Sequence, residues 1–293
     1  MEQAIKKYQS FFQYLRYTRP FRAPEWFLRK LQYRRLDQKK NILLNMRLGH
    51  KIELIPTQSY LERVIFNRAY HDEGTFYLEP FLKDGAVIID IGANIGLLTC
   101  AYAQRFKKHS PVIYAVEAVE QNYLKLVRNI DLNGFKNVHP FRLALGEETG
   151  ELMFKLPSKD FIGNAVGSNV LSVEDSKTIT DASGYQEVVP LVRLDDWAQA
   201  NNVNRCDFMK IDVEGAELSV FRGGREFIKK FRPIIQCEFN RHWLEQQNLS
   251  IRDFIEFFRP LGYSFFVDSG DEFVPLKAES FNSPLVDLLL MPR

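Results

Sequence analysis

The sequence is poor in cysteine, in long apolar runs and in net charge, and each shortage excludes a class of protein. Three cysteines, Cys100, Cys206 and Cys237, are scattered through 293 residues, too few and too far apart for a disulfide framework, and no Cys-x-x-Cys pair offers metal-ligand spacing. They are expected to be small buried apolar side chains in a reducing compartment. No apolar run approaches the ~20 residues of a membrane-spanning helix. The N-terminus is basic but lacks the apolar stretch and small-residue cleavage site of a secretory signal, so a cytoplasmic protein is the expectation. A net charge of +2, from 39 Lys and Arg against 37 Asp and Glu, excludes a strongly basic nucleic-acid binder or an acidic disordered chain as a description of the whole. With 45% hydrophobic residues, the length suffices for one large or two small domains around a sizeable core.

The small net charge conceals a division. Residues 1–40 carry 11 Lys and Arg against 3 Asp and Glu, a charge of +8, which leaves −6 for the rest. The same segment holds 9 of the 39 aromatic residues, and Ile5, Tyr8, Phe12 and Leu15 share one helical face. Pro20 and Pro24 break it, with Pro24 suited to the first turn of a second helix. Residues 1–50 are therefore read as a basic, aromatic helical extension and residues 51–293 as the main domain. Basic residues interleaved with aromatics can pack on the body, rest peripherally on an anionic membrane surface, or grip nucleic acid, the last being the weakest of the three.

From residue 86 onward, short β-branched runs alternate with helical stretches. Ala86 to Ile91 is apolar on both strand faces, as a central parallel strand covered on both sides requires. A helix follows from Ile95 to Lys107 with Asn94 as N-cap, then strands at 111–117 and 138–145 flank a helix at 121–132 closed by Gly134. Residues 146–186 turn polar and read as an inserted set of short strands and loop. Strands at 187–193, 208–213, 233–239, 263–267 and 285–291 complete the pattern, the last two as an antiparallel pair. Strands separated by helices predict a doubly wound, Rossmann-like α/β sheet.

Two stretches carry chemistry. Asp90-Ile91-Gly92-Ala93-Asn94-Ile95-Gly96 stands at a strand-to-helix turn, where glycines let backbone N–H groups approach a cofactor at the carboxyl edge of the sheet. Glu117 ends the next strand, 25 positions after Gly92, where an acid can accept hydrogen bonds from both ribose hydroxyls. A dinucleotide fingerprint needs glycine where Asn94 stands. Asp90 would repel a pyrophosphate but suits the ammonium of a methionine moiety, so the turn reads as an S-adenosylmethionine site rather than an NAD site. At the fourth parallel strand, Lys210, Asp212 and Glu214 share one side, and Glu238 and Asn240 end the fifth, with His242 two residues on.

DIGANIGLLT (Asp90 to Thr99), LDDW (Leu194 to Trp197) and FMKIDVEGAELSVFRGG (Phe208 to Gly224) together resemble the FkbM type of class I S-adenosylmethionine-dependent methyltransferases, over about residues 60–292. The resemblance implies a seven-stranded sheet with an antiparallel last strand, and O-methylation of a hydroxyl on a glycan, glycolipid or secondary metabolite. It places cofactor contacts at Asp90, Gly92, Ala93, Asn94, Gly96, Glu117 and Asp212, and an adenine contact at Ala144, where the lack of a polar side chain shifts recognition to the backbone or to Gly146 and Glu147. The fourth-strand motif falls on Asp212, Glu214 and Glu217.

Transfer to a hydroxyl needs alignment and a proton acceptor. Asp212 is the first choice of base, then Glu238 or His242. The ordinary readings are a helix cap for Glu214 and a surface position for His242. Asp212, Glu214 and Glu238 are also a conceivable oxygen-ligand set for a divalent metal, although catalysis without metal is preferred. Asp195 and Asp196 orient substrate or, by preference, cap the short helix they begin. Two other classes stay open: a binding or scaffold protein that keeps the fold without catalysis in a membrane-associated glycan-modifying assembly, and a nucleic-acid methyltransferase. The second lacks an Asn-Pro-Pro-Tyr-like motif after the fourth strand, where Asp-Val-Glu-Gly stands.

Overall fold

A computed structural model of the chain describes residues 41–46, 48–55, 78–156, 170–172, 185–268, 273–277, 281 and 283–293. The basic arm of residues 1–40, with its expected helices, lies outside them. The first described element is a hairpin, strands β1 (Ile42–Asn45) and β2 (Lys51–Leu54), paired antiparallel. The final part of the expected helical extension is thus a strand. ILLN buries alternate residues with period 2, and Ile52 and Leu54 seal the hairpin against Ile95, Leu97 and Cys100. The expected boundary after residue 50 lies in the turn of this hairpin.

The body is an α/β sheet whose five parallel strands come first in the physical argument, because their two buried faces fix everything else. They are β3 (Val87–Ile91), β4 (Val112–Glu117), β5 (Val138–Arg142), β10 (Phe208–Ile211) and β11 (Ile234–Asn240). In order across the sheet they run β5, β4, β3, β10, β11, all parallel. Helices α1 (Leu97–Arg105) and α2 (Glu120–Asn133) cover one face through Tyr102, Phe106, Leu126 and Ile130, which pack on Ile88, Ile113 and Phe208. Ile89, Ile91, Met209, Ile211 and Ile235 face the other way, into a second cluster built on Trp197, Phe221, Phe254 and Phe258. Alternate residues of one strand therefore feed two cores, which is why these strands read as continuous apolar runs.

Beyond β11 the sheet continues with β14 (Leu285–Pro292), antiparallel to β11, and β12 (Tyr263–Asp268), antiparallel to β14. The last strand of the chain is inserted antiparallel, as expected. The expected count of seven strands is exceeded by β13 (Phe273–Pro275), which pairs with β12 and makes eight. Two strand assignments also change. The run expected at 138–145 breaks at Leu143, and β6 (Ala144–Gly146) leaves for a second, four-stranded sheet in the order β6, β9, β7, β8. Its other members are β7 (Gly150–Leu156), β8 (Val170–Ser172) and β9 (Tyr185–Arg193). The strand expected at 187–193 belongs here, as do the described strands of the polar insertion. Among the described residues, no helix is long and apolar enough to cross a membrane.

Candidate active site

Two turns form the carboxyl edge of the parallel sheet. The first joins β3 to α1 and takes three consecutive left-handed positions at alternate residues, Gly92 (φ 80), Asn94 (φ 52) and Gly96 (φ 84). Asn94 is not the N-cap of α1, which starts two residues later than expected; Gly96 occupies that place without a side-chain cap. Asn94 tolerates positive φ because its short amide bonds locally, its Oδ1 accepting from Ile95 N at 2.8 Å. The other turn N–H groups are equally committed. Gly92 N and Ala93 N both donate to Val116 O at 2.9 Å, Asn94 N to Glu117 Oε2 at 2.8 Å, and Gly96 N to Ala93 O at 2.9 Å. Every N–H from Gly92 to Gly96 is therefore spent within the protein. The expectation that this turn offers N–H groups to a cofactor is corrected by that accounting.

Gly92 has a reason other than cofactor approach. A Cβ there would stand 1.9 Å from the carbonyl oxygen of Asp212, in the second turn. Asp212 N in turn donates to Ile91 O at 3.0 Å, so the two turns touch backbone to backbone. Gly96 is held against Leu126, whose Cδ1 would lie 2.6 Å from an added Cβ.

Behind the first turn sit two buried acids. Asp90, 1% exposed, accepts from Thr99 Oγ1 at 2.6 Å through Oδ2, while its Oδ1 is buried with no hydrogen-bond partner. Burial raises its carboxyl above the usual carboxylate range, against the pull of Lys210 and of the Thr99 hydroxyl. Glu117, 6% exposed, accepts from Asn94 N, from Val119 N at 3.0 Å and from Asn122 Nδ2 at 3.2 Å. Burial pushes its pKa up to about 7 in spite of those three donors. With about four lone-pair sites on a carboxylate, Glu117 has room for one further hydroxyl, not the expected two.

The second turn follows β10 and leads to helix α4 (Glu217–Gly223). Glu214 (φ 53) and Gly215 (φ 103) are both left-handed, so Glu214 does not cap the helix. The helix has no side-chain cap; Glu217, its first residue, instead ties down the turn before it, its Oε1 accepting from Val213 N and Gly215 N, each at 3.1 Å, while its Oε2 is buried without a partner. Burial lifts Glu217 to about 7, as it does Glu117. The two turns thus follow one plan: a buried glutamate ties down backbone N–H groups around a non-glycine residue at positive φ.

Asp212, Glu214 and Glu238 come together here, offering carboxylate oxygens all within 4.8 Å of one another. They are half-buried, and Lys210, nearly buried, pairs with Asp212 at 3.0 Å. In register, Lys210 stands beside Asp90 on one side and Gln236 on the other, and Glu238 beside Asp287. Burial first, then the charges of Asp212, Glu214 and Asp287, push Glu238 up to about 8, with Lys210 drawing it back. His242 is not among them. It is exposed on helix α6 (Arg241–Gln246), with Nε2 3.0 Å from Gln246 Nε2 and its ring against Trp243.

Ala144 lies in β6, buried with Val119, Phe154 and Val189 rather than at the end of a main-sheet strand. Neither Asp195 nor Asp196 caps its own helix, α3 (Leu194–Ala200). Asp195 instead accepts from Phe227 N at 2.8 Å and Glu226 N at 3.4 Å, the first turn of helix α5 (Arg225–Phe231). Thr99, Asn122 and Asn129 were not singled out in the sequence. For the asparagines a signal existed: a weak helix former recurs along the middle of a helix.

The family model of the methyltransferase FkbM domain matches residues 90–265, a shorter span than the expected 60–292. Methyltransferase 1 of Beauveria bassiana is 29% identical over 157 residues, 49% of this chain and 60% of that protein. The hexuronic acid methyltransferase AglP of Haloferax volcanii is 29% identical over 141 residues, 48% of this chain and 51% of its own length. The 2-O-methyltransferase NoeI of Sinorhizobium fredii is 27% identical over 183 residues, 59% of this chain and 71% of that protein. The match to the first two therefore spans less than two thirds of their length. The matched model begins at Asp90 and takes in both turns with Asp212 and Glu214, as well as Glu117 and Glu238, and the chain belongs to the methyltransferase FkbM domain family.

Proposed function

We propose that the protein is an S-adenosylmethionine-dependent O-methyltransferase acting on a hydroxyl of a glycan, glycolipid or secondary metabolite. One observation carries the cofactor assignment: the first turn has no N–H left from Gly92 to Gly96, while Asp90 Oδ1 is buried without a partner behind it. A pyrophosphate is bound through free backbone N–H groups. A ligand with an ammonium and a neutral ribose needs acceptors instead, and acceptors are what remain.

When bound, S-adenosylmethionine supplies a methyl group on a cationic sulfur. Asp90 would accept from its ammonium and Glu117 from one ribose hydroxyl, and the acids of the second turn would face the acceptor. Glu238 is the better general base than Asp212, reversing the order read from the sequence. Asp212 is engaged by Lys210 at 3.0 Å, whereas burial and neighbouring acids give Glu238 a strengthened hold on a proton. Asp212 then orients the hydroxyl. A sugar acceptor is supported by the Haloferax relative, a hexuronic acid methyltransferase, and transfer to oxygen by the Sinorhizobium relative, a 2-O-methyltransferase. The alternative of a fold kept without catalysis is disfavoured by three carboxylates gathered at one edge.

The test is calorimetry with S-adenosylmethionine and NAD, followed by transfer of a labelled methyl group to glycan and lipid extracts between pH 6 and 9, with and without EDTA. Binding of the first ligand alone is expected, weakened in Asp90→Asn. Because the base must be ionised to act, turnover rises with pH through about 8 and Glu238→Gln abolishes it. Loss of turnover in EDTA would instead assign Asp212, Glu214 and Glu238 to a divalent metal.

A further inference from the structure

Strand β2 has two edges. One pairs with β1; among the described residues the other meets no strand but two asparagine side chains of helix α2. Lys51 N donates to Asn133 Oδ1 and Lys51 O accepts from Asn133 Nδ2, both at 2.7 Å. Two residues on, Glu53 N donates to Asn129 Oδ1 at 2.7 Å and Glu53 O accepts from Asn129 Nδ2 at 3.4 Å. Residues 51 and 53 present their backbone groups to the same side, and asparagines four apart share a helix face. The primary amide carries one acceptor and one donor as a peptide group does, so the pair substitutes for a neighbouring strand.

Asn129 does more than Asn133. It is fully buried, and its Nδ2 also donates to Ile95 O at 2.8 Å, inside the first turn. Seven residues earlier on the same helix, Asn122 donates to Glu117, the acid that receives Asn94 N. Helix α2 therefore reaches the turn at two points, once through Glu117 and once directly. Ile95 is itself fully buried, so its carbonyl has no access to water and depends on that amide.

We propose that Asn129 is a positioning residue of the cofactor site: it fixes the carbonyl of Ile95, and with it the turn Gly92 to Gly96, while its other end locks the β1–β2 hairpin to the helix. The inference rests on the cofactor reading above. Asn133 is the internal control, because it makes the same kind of contact with the hairpin and none with the turn.

The experiment compares full-length wild type, Asn129→Ala and Asn133→Ala by calorimetry with S-adenosylmethionine and by amide hydrogen exchange of residues 93–96. Loss of the bond to a buried carbonyl is expected to weaken cofactor binding about tenfold or more in Asn129→Ala and to speed exchange in the turn. Asn133→Ala is expected to stay within about twofold of wild type in both. Equal weakening in the two variants would make the effect one of hairpin docking and overturn the proposal, as would wild-type behaviour of Asn129→Ala. A wild type that fails to bind the cofactor would sink the cofactor reading alone, since exchange in the turn still decides whether Asn129 positions it. Should Asn129→Ala not fold, Asn129→Asp, which keeps the acceptor for Glu53 N and removes the donor to Ile95 O together with its longer bond to Glu53 O, carries the same comparison.

Discussion

Glu117 and Glu217 share an unusual condition: each is almost fully buried, accepts backbone N–H groups of an active-site turn, and titrates near 7 in place of the ordinary 4.5. Between those pH values the folded chain holds protons that the unfolded chain has released, so stability falls as pH rises from about 4.5 to about 7. Each group accounts for a change on the order of 3 kcal/mol across that window. Urea denaturation at stepped pH is expected to show this decline, and Glu117→Gln and Glu217→Gln are each expected to flatten it, since an amide cannot titrate. An unchanged slope in both variants would mean that the two acids ionise normally in the folded chain. At this scale the sequence was partly legible. Asp90, Glu117 and Asp212 stand out by their places at strand ends. The need for glycine at 92 does not, because the atom that forbids a side chain there, the Asp212 carbonyl oxygen, lies 120 positions away in the chain.

Among the elements, the seven-residue helix α5 shows how separate pieces complete one another. Its first-turn N–H groups have no partner in their own segment, and Asp195 supplies one from helix α3. Asp195→Ala is expected to cost about 1 kcal/mol in denaturant unfolding, the usual value of an N-terminal cap, while Asp195→Asn retains most of the stability. Equal loss in both would point to the charge of Asp195, through Arg193 at 3.5 Å, rather than to the cap. Sequence spacing placed the residue at a helix start but could not say which helix. Other elements were readable where both faces of a strand are buried, as in β3 and β10, and unreadable where a strand changes sheets, as at Leu143. Periodicity records which residues are buried and is silent on what buries them. The hairpin was misread because its alternation is only four residues long on each side.

For the molecule as a whole, charge is divided along the chain and not only across its surface. Asp90, Glu238 and Asp287 stand on strands of the main sheet and Asp212 just past the end of β10, with Lys210 among them. The basic excess of +8 belongs to residues 1–40, and we propose that it rests on anionic membrane. Sedimentation with vesicles containing phosphatidylserine is expected for the full chain at low salt, to weaken toward ~0.5 M salt as screening shortens, and to vanish when residues 1–40 are removed. Equal sedimentation with neutral vesicles would exclude the charge as its cause. The parallel, doubly wound character of the sheet and its antiparallel last strand followed from the sequence pattern and the resemblance together, while the order of the strands did not. The second sheet did not, because a polar insertion gives no sign of how it will pair.

The contact between Gly92 and the Asp212 carbonyl has one further consequence. With the two turns meeting backbone to backbone, their spacing is preset by atomic radii, so any side chain added at position 92 must displace one turn from the other.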